Sequence, residues 1–143
     1  MLFYTGISRS SAKIIDEQQA NVKAEKTTSI DAMHELKRDA LGMKESLLRG
    51  DLAGFAGYMR RSWDAKKRTA ASVSNDRIDG VYEAAMASGA IAGKVSGAGG
   101  GGFIMFLADP ARRMDVIRAL ERQDGRVMGC HFTRHGTEGW RID

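Results

Sequence analysis

Five of the six residues from Gly97 to Gly102 are glycine, and only Ala98 among them carries a Cβ. No other stretch restricts the fold as much. Glycine loses more backbone freedom on folding than any other residue, so an ordered run of this kind is costly. It is used where the backbone takes φ > 0 or approaches another group closely, and its N–H groups can form an anion-binding concavity. Phe103-Ile104-Met105-Phe106-Leu107 follows at once and reads as a buried strand. Gly97, Gly99 and Gly102 satisfy Gly-x-Gly-x-x-Gly, but a dinucleotide site needs a helix behind the glycines, not a strand. A Walker loop is absent too: Ser88 stands where its first glycine belongs, and Val95 replaces its hydroxyl residue. The arrangement is strand–glycine loop–strand. It is either a bulged hairpin whose glycines permit tight packing, or a loop that presents N–H groups to a ligand.

The 143 residues suffice for one domain with a real core, and 43% hydrophobic and 28% charged residues are ordinary for a globular protein. No apolar run approaches the ~18 residues of a membrane span. Met1 to Tyr4 is apolar but too short for a signal peptide and has no basic flank. One cysteine, Cys130, excludes an internal disulfide and suits a reducing compartment, so a cytoplasmic setting is expected. A net charge of +4 suits an anionic ligand and equally a protein without one.

Leu2 to Thr5 reads as a strand, and a strand starting at residue 2 suggests a chain taken from something longer. Ser10 and Ser11 cap a helix to about Lys26 with few apolar positions, Ala12, Ile15 and Val22. Thr28 and Ser29 cap the next, in which Met33, Leu36, Ala40, Met43 and Leu47 recur at spacings of 3, 4, 3 and 4 and should face inward. Gly50 ends it. Asp51 caps a partner with Leu52, Phe55, Met59 and Trp63 inward, which makes an αα-hairpin. Arg60, Arg61, Lys66, Lys67 and Arg68 crowd the end of that helix, either as a solvated terminus or as a ligand site. Asn75 caps a fourth helix with Ile78, Val81, Tyr82 and Ala85 inward, ended by Ser88-Gly89. Strands at 90–96 and 102–108 flank the glycine loop. Asp109-Pro110 opens a helix to about Gln123 that buries Met114, Ile117 and Leu120. A strand from Arg126 to Phe132 places Met128, Cys130 and Phe132 on one face, and a last strand at 137–142 completes the chain. The class is α+β, with a largely antiparallel sheet and helices on one face. Cys130 reads as a core residue. His131 and His135 do not converge on a metal from a strand, and no Ser/His/Asp set or metal cluster stands out.

Lys94-x-Ser96-Gly97-Ala98-Gly99-Gly100-Gly101-Gly102-Phe103 resembles the third, C-terminal motif of the GHMP kinases. It is most similar to the sugar-phosphate branch typified by heptose 7-phosphate kinases. Phe3-Tyr4-Thr5-Gly6-Ile7-Ser8-Arg9, Trp63-x-x-Lys66-Lys67 and Ser74-Asn75-x-x-Ile78-Asp79 resemble further segments of that branch. The chain departs from the family at Ser72-Val73, where glycine is usual, and at Asp76, where proline is usual. The family's ATP-phosphate loop, acidic metal ligand and catalytic aspartate belong to an N-terminal domain and do not occur in this chain.

The resemblance therefore implies one domain, residues 1–143, with a ferredoxin-like fold: the C-terminal domain of an ATP-dependent sugar kinase, inactive alone. It implies ATP and Mg²⁺ only within a complete kinase, and no catalytic residue or metal ligand here. It assigns Ser96, Gly97, Ala98, Gly99, Gly100 and Gly101 to support of the ATP phosphate loop, and Arg9, Lys66 and Lys67 to the sugar's phosphate. The implied partners are an N-terminal kinase domain, in the same chain or another, and a sugar phosphate. Met1 to Phe3 and the glycine loop would lie on the interface with that domain, or mediate self-association without it. A free-standing module that binds a sugar phosphate or a partner is the alternative. Neither a membrane nor a nucleic acid is expected as partner, since the aromatic motif of RNA-reading ferredoxin-like sheets is missing.

Overall fold

The computed structural model describes residues 1–7 and 10–141. Strand β1 (Leu2–Tyr4) leads through helices α1 (Ser11–Lys23), α2 (Thr27–Leu48) and α3 (Leu52–Lys67), a 3₁₀ turn (Ala71–Val73) and α4 (Asp76–Ala87) to β2 (Ala90–Val95). The chain continues through β3 (Phe103–Ala108), a second 3₁₀ turn (Pro110–Arg112), α5 (Arg113–Glu121) and β4 (Arg126–Met128). The sheet order is β2-β3-β1-β4 with every pair antiparallel. This is the ferredoxin-like βαββαβ order with several helices in its first crossover. The expected α+β class holds.

Register explains the core. Phe3 faces Ile104 and Val127, and Ile104 faces Val95, so these four form one row across the sheet. Ile78, Val81 and Ala85 of α4 and Val116 and Leu120 of α5 bury that row. The other face carries Leu2, Tyr4, Phe103, Met105 and Met128, with Phe103, Met105 and Met128 each nearly 40% exposed. Helix α3 wraps the edge of β2. Its Trp63 joins the main core with Val95, while Ala56 and Met59 pack on Ala92, which points the opposite way.

Several expectations are corrected. Strand β3 is buried on one face only. Phe3 is fully buried, so it belongs to the core and not to an interface. Helix α1 ends at Lys23, and α2 starts at Thr27 with Lys26 as its N-cap. Ser29 is no cap: it is buried, and its hydroxyl donates to Thr69 O at 3.2 Å. The buried face of α2 is Ser29, Ala32, Asp39 and Ser46, whereas Ala40 and Leu47 are exposed. Small and charged residues line that seam because α3 sets it: Tyr58 lies against Gly42, and Arg61 pairs with Asp39. Leu41, Leu47, Leu48 and Leu52 are left exposed at the hairpin tip. In α5, Val116 and Leu120 are buried and Met114 is exposed. Strand β4 stops at Met128, Cys130 and Phe132 are exposed, and residues 137–141 form no strand. No described helix is long and apolar enough to cross a membrane.

Two glycine substitutions separate packing from propensity. A Cβ at Gly93 would sit 2.6 Å from the Phe106 ring, so Gly93→Ala should cost about 1–3 kcal/mol through overpacking. Gly80 is an exposed position in α4 with open space around it, and Gly80→Ala should stabilise by about 0.5–1 kcal/mol. Urea denaturation of both variants checks the pair.

Candidate functional site

The glycine run forms the loop 96–102 between β2 and β3, held by its own backbone. Gly100 N donates to Val73 O and Gly102 N to Ile7 O, both at 2.8 Å. Thr5 donates to Gly102 O from its N at 2.9 Å and from its hydroxyl at 3.0 Å. A Cβ at Gly99 would lie 2.7 Å from Val73 O, and one at Gly101 2.7 Å from Ile7 O. Gly99 also has φ +117°, where side chains are strained. Close packing is therefore one reason for the glycines. A second remains visible: the N–H groups of Gly97, Ala98, Gly99 and Gly101 have no partner among the described residues.

Those residues line a cleft of about 220 Å³, together with Ser96, Gly102, Phe103 and Ser11. Ser11 opens α1, whose N-cap Ser10 makes no side-chain cap bond and whose first turn has no acid. Ser10, Lys13 and Ser72 border a neighbouring hollow. A helix N-terminus carries partial positive charge from its unpaired N–H groups. The cleft thus gathers hydroxyls and backbone donors without a carboxylate, a setting that suits an anion.

The lysines separate. Lys66 is 9% exposed, and its Nζ donates to Val95 O at 3.3 Å and to Gly97 O. Burial, with Lys94 nearby, pushes its pKa down to about 8. Lys94 donates to the Ser62 hydroxyl at 2.7 Å and is also lowered by burial, with Asp39 opposing the shift. Lys67 turns outward to Asp64 at 3.5 Å and stands over the Trp63 ring. The structure therefore does not bring Lys66 and Lys67 together on one ligand, and Arg9 lies outside the described residues. The rest of the cationic helix end is largely paired: Arg61 with buried Asp39, and Arg68 with Glu35. Arg68 holds the Glu35 carboxyl below its usual range.

Sequence reasoning missed Glu17 and the second role of Asn75, which together build the loop's support. Glu17 of α1 accepts from Ala71 N at 2.8 Å, from Ser72 N at 3.3 Å and from the Ser72 hydroxyl, which lowers its pKa and fixes the turn that carries Val73. Its signal was its place one turn past an apolar position in a sparse helix. Asn75, read as a cap, does cap α4 by accepting from Ile78 N at 3.1 Å, and its Nδ2 also donates to Gly100 O at 3.4 Å. A larger groove of about 480 Å³ runs along α3 beside Tyr58, Arg60 and Arg61, away from the loop, and Arg61 there is already committed to Asp39. Among the described residues no three His, Cys, Asp or Glu side chains cluster as for a metal.

Two predictions follow from the loop. Gly97 has open space around its missing Cβ at φ +73°, so Gly97→Ala should cost about 1–2 kcal/mol of backbone strain alone. Gly99→Ala adds a collision with the Val73 carbonyl and should cost about 3 kcal/mol or more, measured by thermal and urea unfolding. The Lys66 pKa, about 8 when folded against 10.5 as its ordinary value, means the folded protein releases that proton first as pH rises. The burial cost of the ammonium is carried in full below pH 8. Relative to Lys66→Met, the wild type should therefore gain stability on the order of 2–3 kcal/mol between about pH 8 and 10.5. Urea titrations of both proteins across that range test the sign.

Residues 43–126 match the family model described as GHMP kinases C terminal. The D-glycero-alpha-D-manno-heptose 7-phosphate kinase of Campylobacter jejuni subsp. jejuni is 39% identical over 142 residues, covering 99% of this chain and 41% of that protein. A crystal structure of a putative sugar kinase from Campylobacter jejuni is 38% identical with a TM-score of 0.64, covering 99% of this chain and 38% of that one. The L. major mevalonate kinase in complex with R-mevalonate superimposes with a TM-score of 0.76 at 21% identity, over 85% of this chain and 37% of that one. This last likeness is one of fold. The chain spans about 41% of the length of its curated heptose kinase relative.

Proposed function

The chain belongs to the family of GHMP kinase C-terminal domains, and from that premise we propose that it supplies the C-terminal part of an ATP-dependent kinase acting on a heptose-phosphate-like sugar. The observation that carries the reading is the cleft beside the glycine loop, where four backbone N–H groups without a partner among the described residues meet the first turn of α1. The 39% identity to a heptose 7-phosphate kinase supports the substrate class.

Phosphoryl transfer asks little covalent chemistry of the protein and much positioning and charge neutralisation. ATP and Mg²⁺ supply the transferred group and its charge balance within the complete kinase. In our reading this chain's part is electrostatic. Gly97, Ala98, Gly99 and Gly101 direct N–H dipoles at phosphate oxygens or at the loop that holds them, and Ser96 adds a hydroxyl. Gly100 serves differently, since its N–H is spent on Val73 and holds the loop in shape. Lys67 and Arg9 remain candidates for the sugar's phosphate. Lys66 acts on the loop.

The partner we propose is an N-terminal kinase domain, in the same chain or another, seated over the glycine loop and the open sheet face of Tyr4, Phe103, Met105 and Met128. That face is apolar and partly exposed, and without such a domain it is available to a second copy. A coupled assay with ATP, Mg²⁺ and a panel of sugar phosphates tests the proposal, run on the chain alone and with the N-terminal part of the Campylobacter relative. Activity is expected only in the mixture, and Gly99→Ala should remove most of it. Sedimentation of both samples reports whether the open face takes the added part or a second copy. A stable complex that stays silent with every sugar phosphate overturns the kinase reading and leaves a binding module.

A further inference from the structure

The two carbonyls that Lys66 holds, Val95 O and Gly97 O, flank the limb by which the chain enters the glycine loop. Among the described residues no peptide bond is cis. In a planar trans peptide the C=O of one residue and the N–H of the next point in opposite directions. Drawing Val95 O toward Lys66 therefore turns Ser96 N–H away, where it meets Phe103 O at 2.8 Å. Drawing Gly97 O toward Lys66 likewise turns Ala98 N–H away from α3, and Ala98 lines the cleft. On the far side, the bond from Gly100 N to Val73 O fixes the peptide between Gly99 and Gly100. Ala98-Gly99 is thus slung between a side-chain anchor and a backbone anchor.

A buried ammonium is expensive unless its hydrogen bonds are satisfied. Methionine would fill a similar space against Val95 at no such cost. Lysine's compact head with several donors can hold two carbonyls at once, which an apolar side chain cannot do. We propose that Lys66 is a positioning residue that orients the Gly97–Ala98 peptide and so aims Ala98 N–H into the cleft, without touching a ligand itself. The proposal rests on the loop's geometry and holds whatever the loop serves, so it stands or falls separately from the kinase reading.

Amide hydrogen exchange by NMR tests it on the whole chain, comparing wild type, Lys66→Met and, as control, Lys67→Met. In Lys66→Met the Ala98 amide should shift and the Gly100 amide should exchange roughly tenfold faster or more, beyond any change at Ile104 and Phe106. Lys67→Met should leave both loop amides as they are. Loop and core amides accelerating together, or a loop that does not change, overturns the proposal. If Lys66→Met does not fold, the wild type decides: scalar coupling across hydrogen bonds from Lys66 Nζ to the Val95 and Gly97 carbonyl carbons supports the role, and its absence rejects it.

Discussion

Two glycine N–H groups of the loop donate to distant carbonyls, Gly100 to Val73 and Gly102 to Ile7, and much of the molecule is arranged so that these bonds can form. Each acceptor sits where a Cβ on the loop would collide with it, Val73 O against Gly99 and Ile7 O against Gly101. Each is also held in place from elsewhere. Glu17 pins the turn before Val73, Asn75 caps the helix after it, and Thr5 ties the end of β1 to the loop's exit. Segments distant in sequence therefore meet at one loop through main-chain contacts, which depend on backbone position more than on side-chain identity. That is why the loop has no room for a Cβ at Gly99.

The long helices are joined differently. The seam between α2 and α3 is built from Ser29, Ala32, Asp39 and Ser46 on one side, with Gly42 against Tyr58, and is stitched by Asp39–Arg61 and Glu35–Arg68. One oxygen of buried Asp39, Oδ2, and the Trp63 indole N–H have no partner among the described residues. Buried polar groups left in this way cost stability. Further inward the charge becomes cationic, with Lys94 on Ser62 and Lys66 under the loop. The hairpin thus connects an apolar tip at Leu48 and Leu52 to a charged root at the glycine loop.

Local signals were legible in the sequence. Asn75 as a cap, Ile78, Val81 and Ala85 as an inward stripe, and the strand–loop–strand form of the glycine run depend on residues close in sequence, and all three hold. What failed depended on distant partners. The Met33-to-Leu47 line has good helical spacing, but α3 selects another face by presenting Tyr58 and Arg61. Met128, Cys130 and Phe132 alternate like a strand, yet β4 pairs only with β1, whose first paired residue, Leu2, already faces Met128. The resemblance assigns Lys66 to the sugar's phosphate, and its burial is legible in its spacing: Met59, Trp63 and Lys66 follow one another at 4 and 3 residues and share the buried stripe of α3.

The sheet order also bears on how the chain is made. Strand β1 occupies the centre, between β3 and β4, and its register partners are Met105, Ile104 and Phe103 on one side and Met128, Val127 and Arg126 on the other. During synthesis the first strand emerges about a hundred residues before either neighbour exists. The α2–α3 hairpin, built from local contacts, can close in the meantime, whereas Leu2 to Tyr4 must wait with both edges unpaired. Closure of the sheet therefore waits for β3 and β4, and until both are made Phe3 is an aromatic side chain without its core.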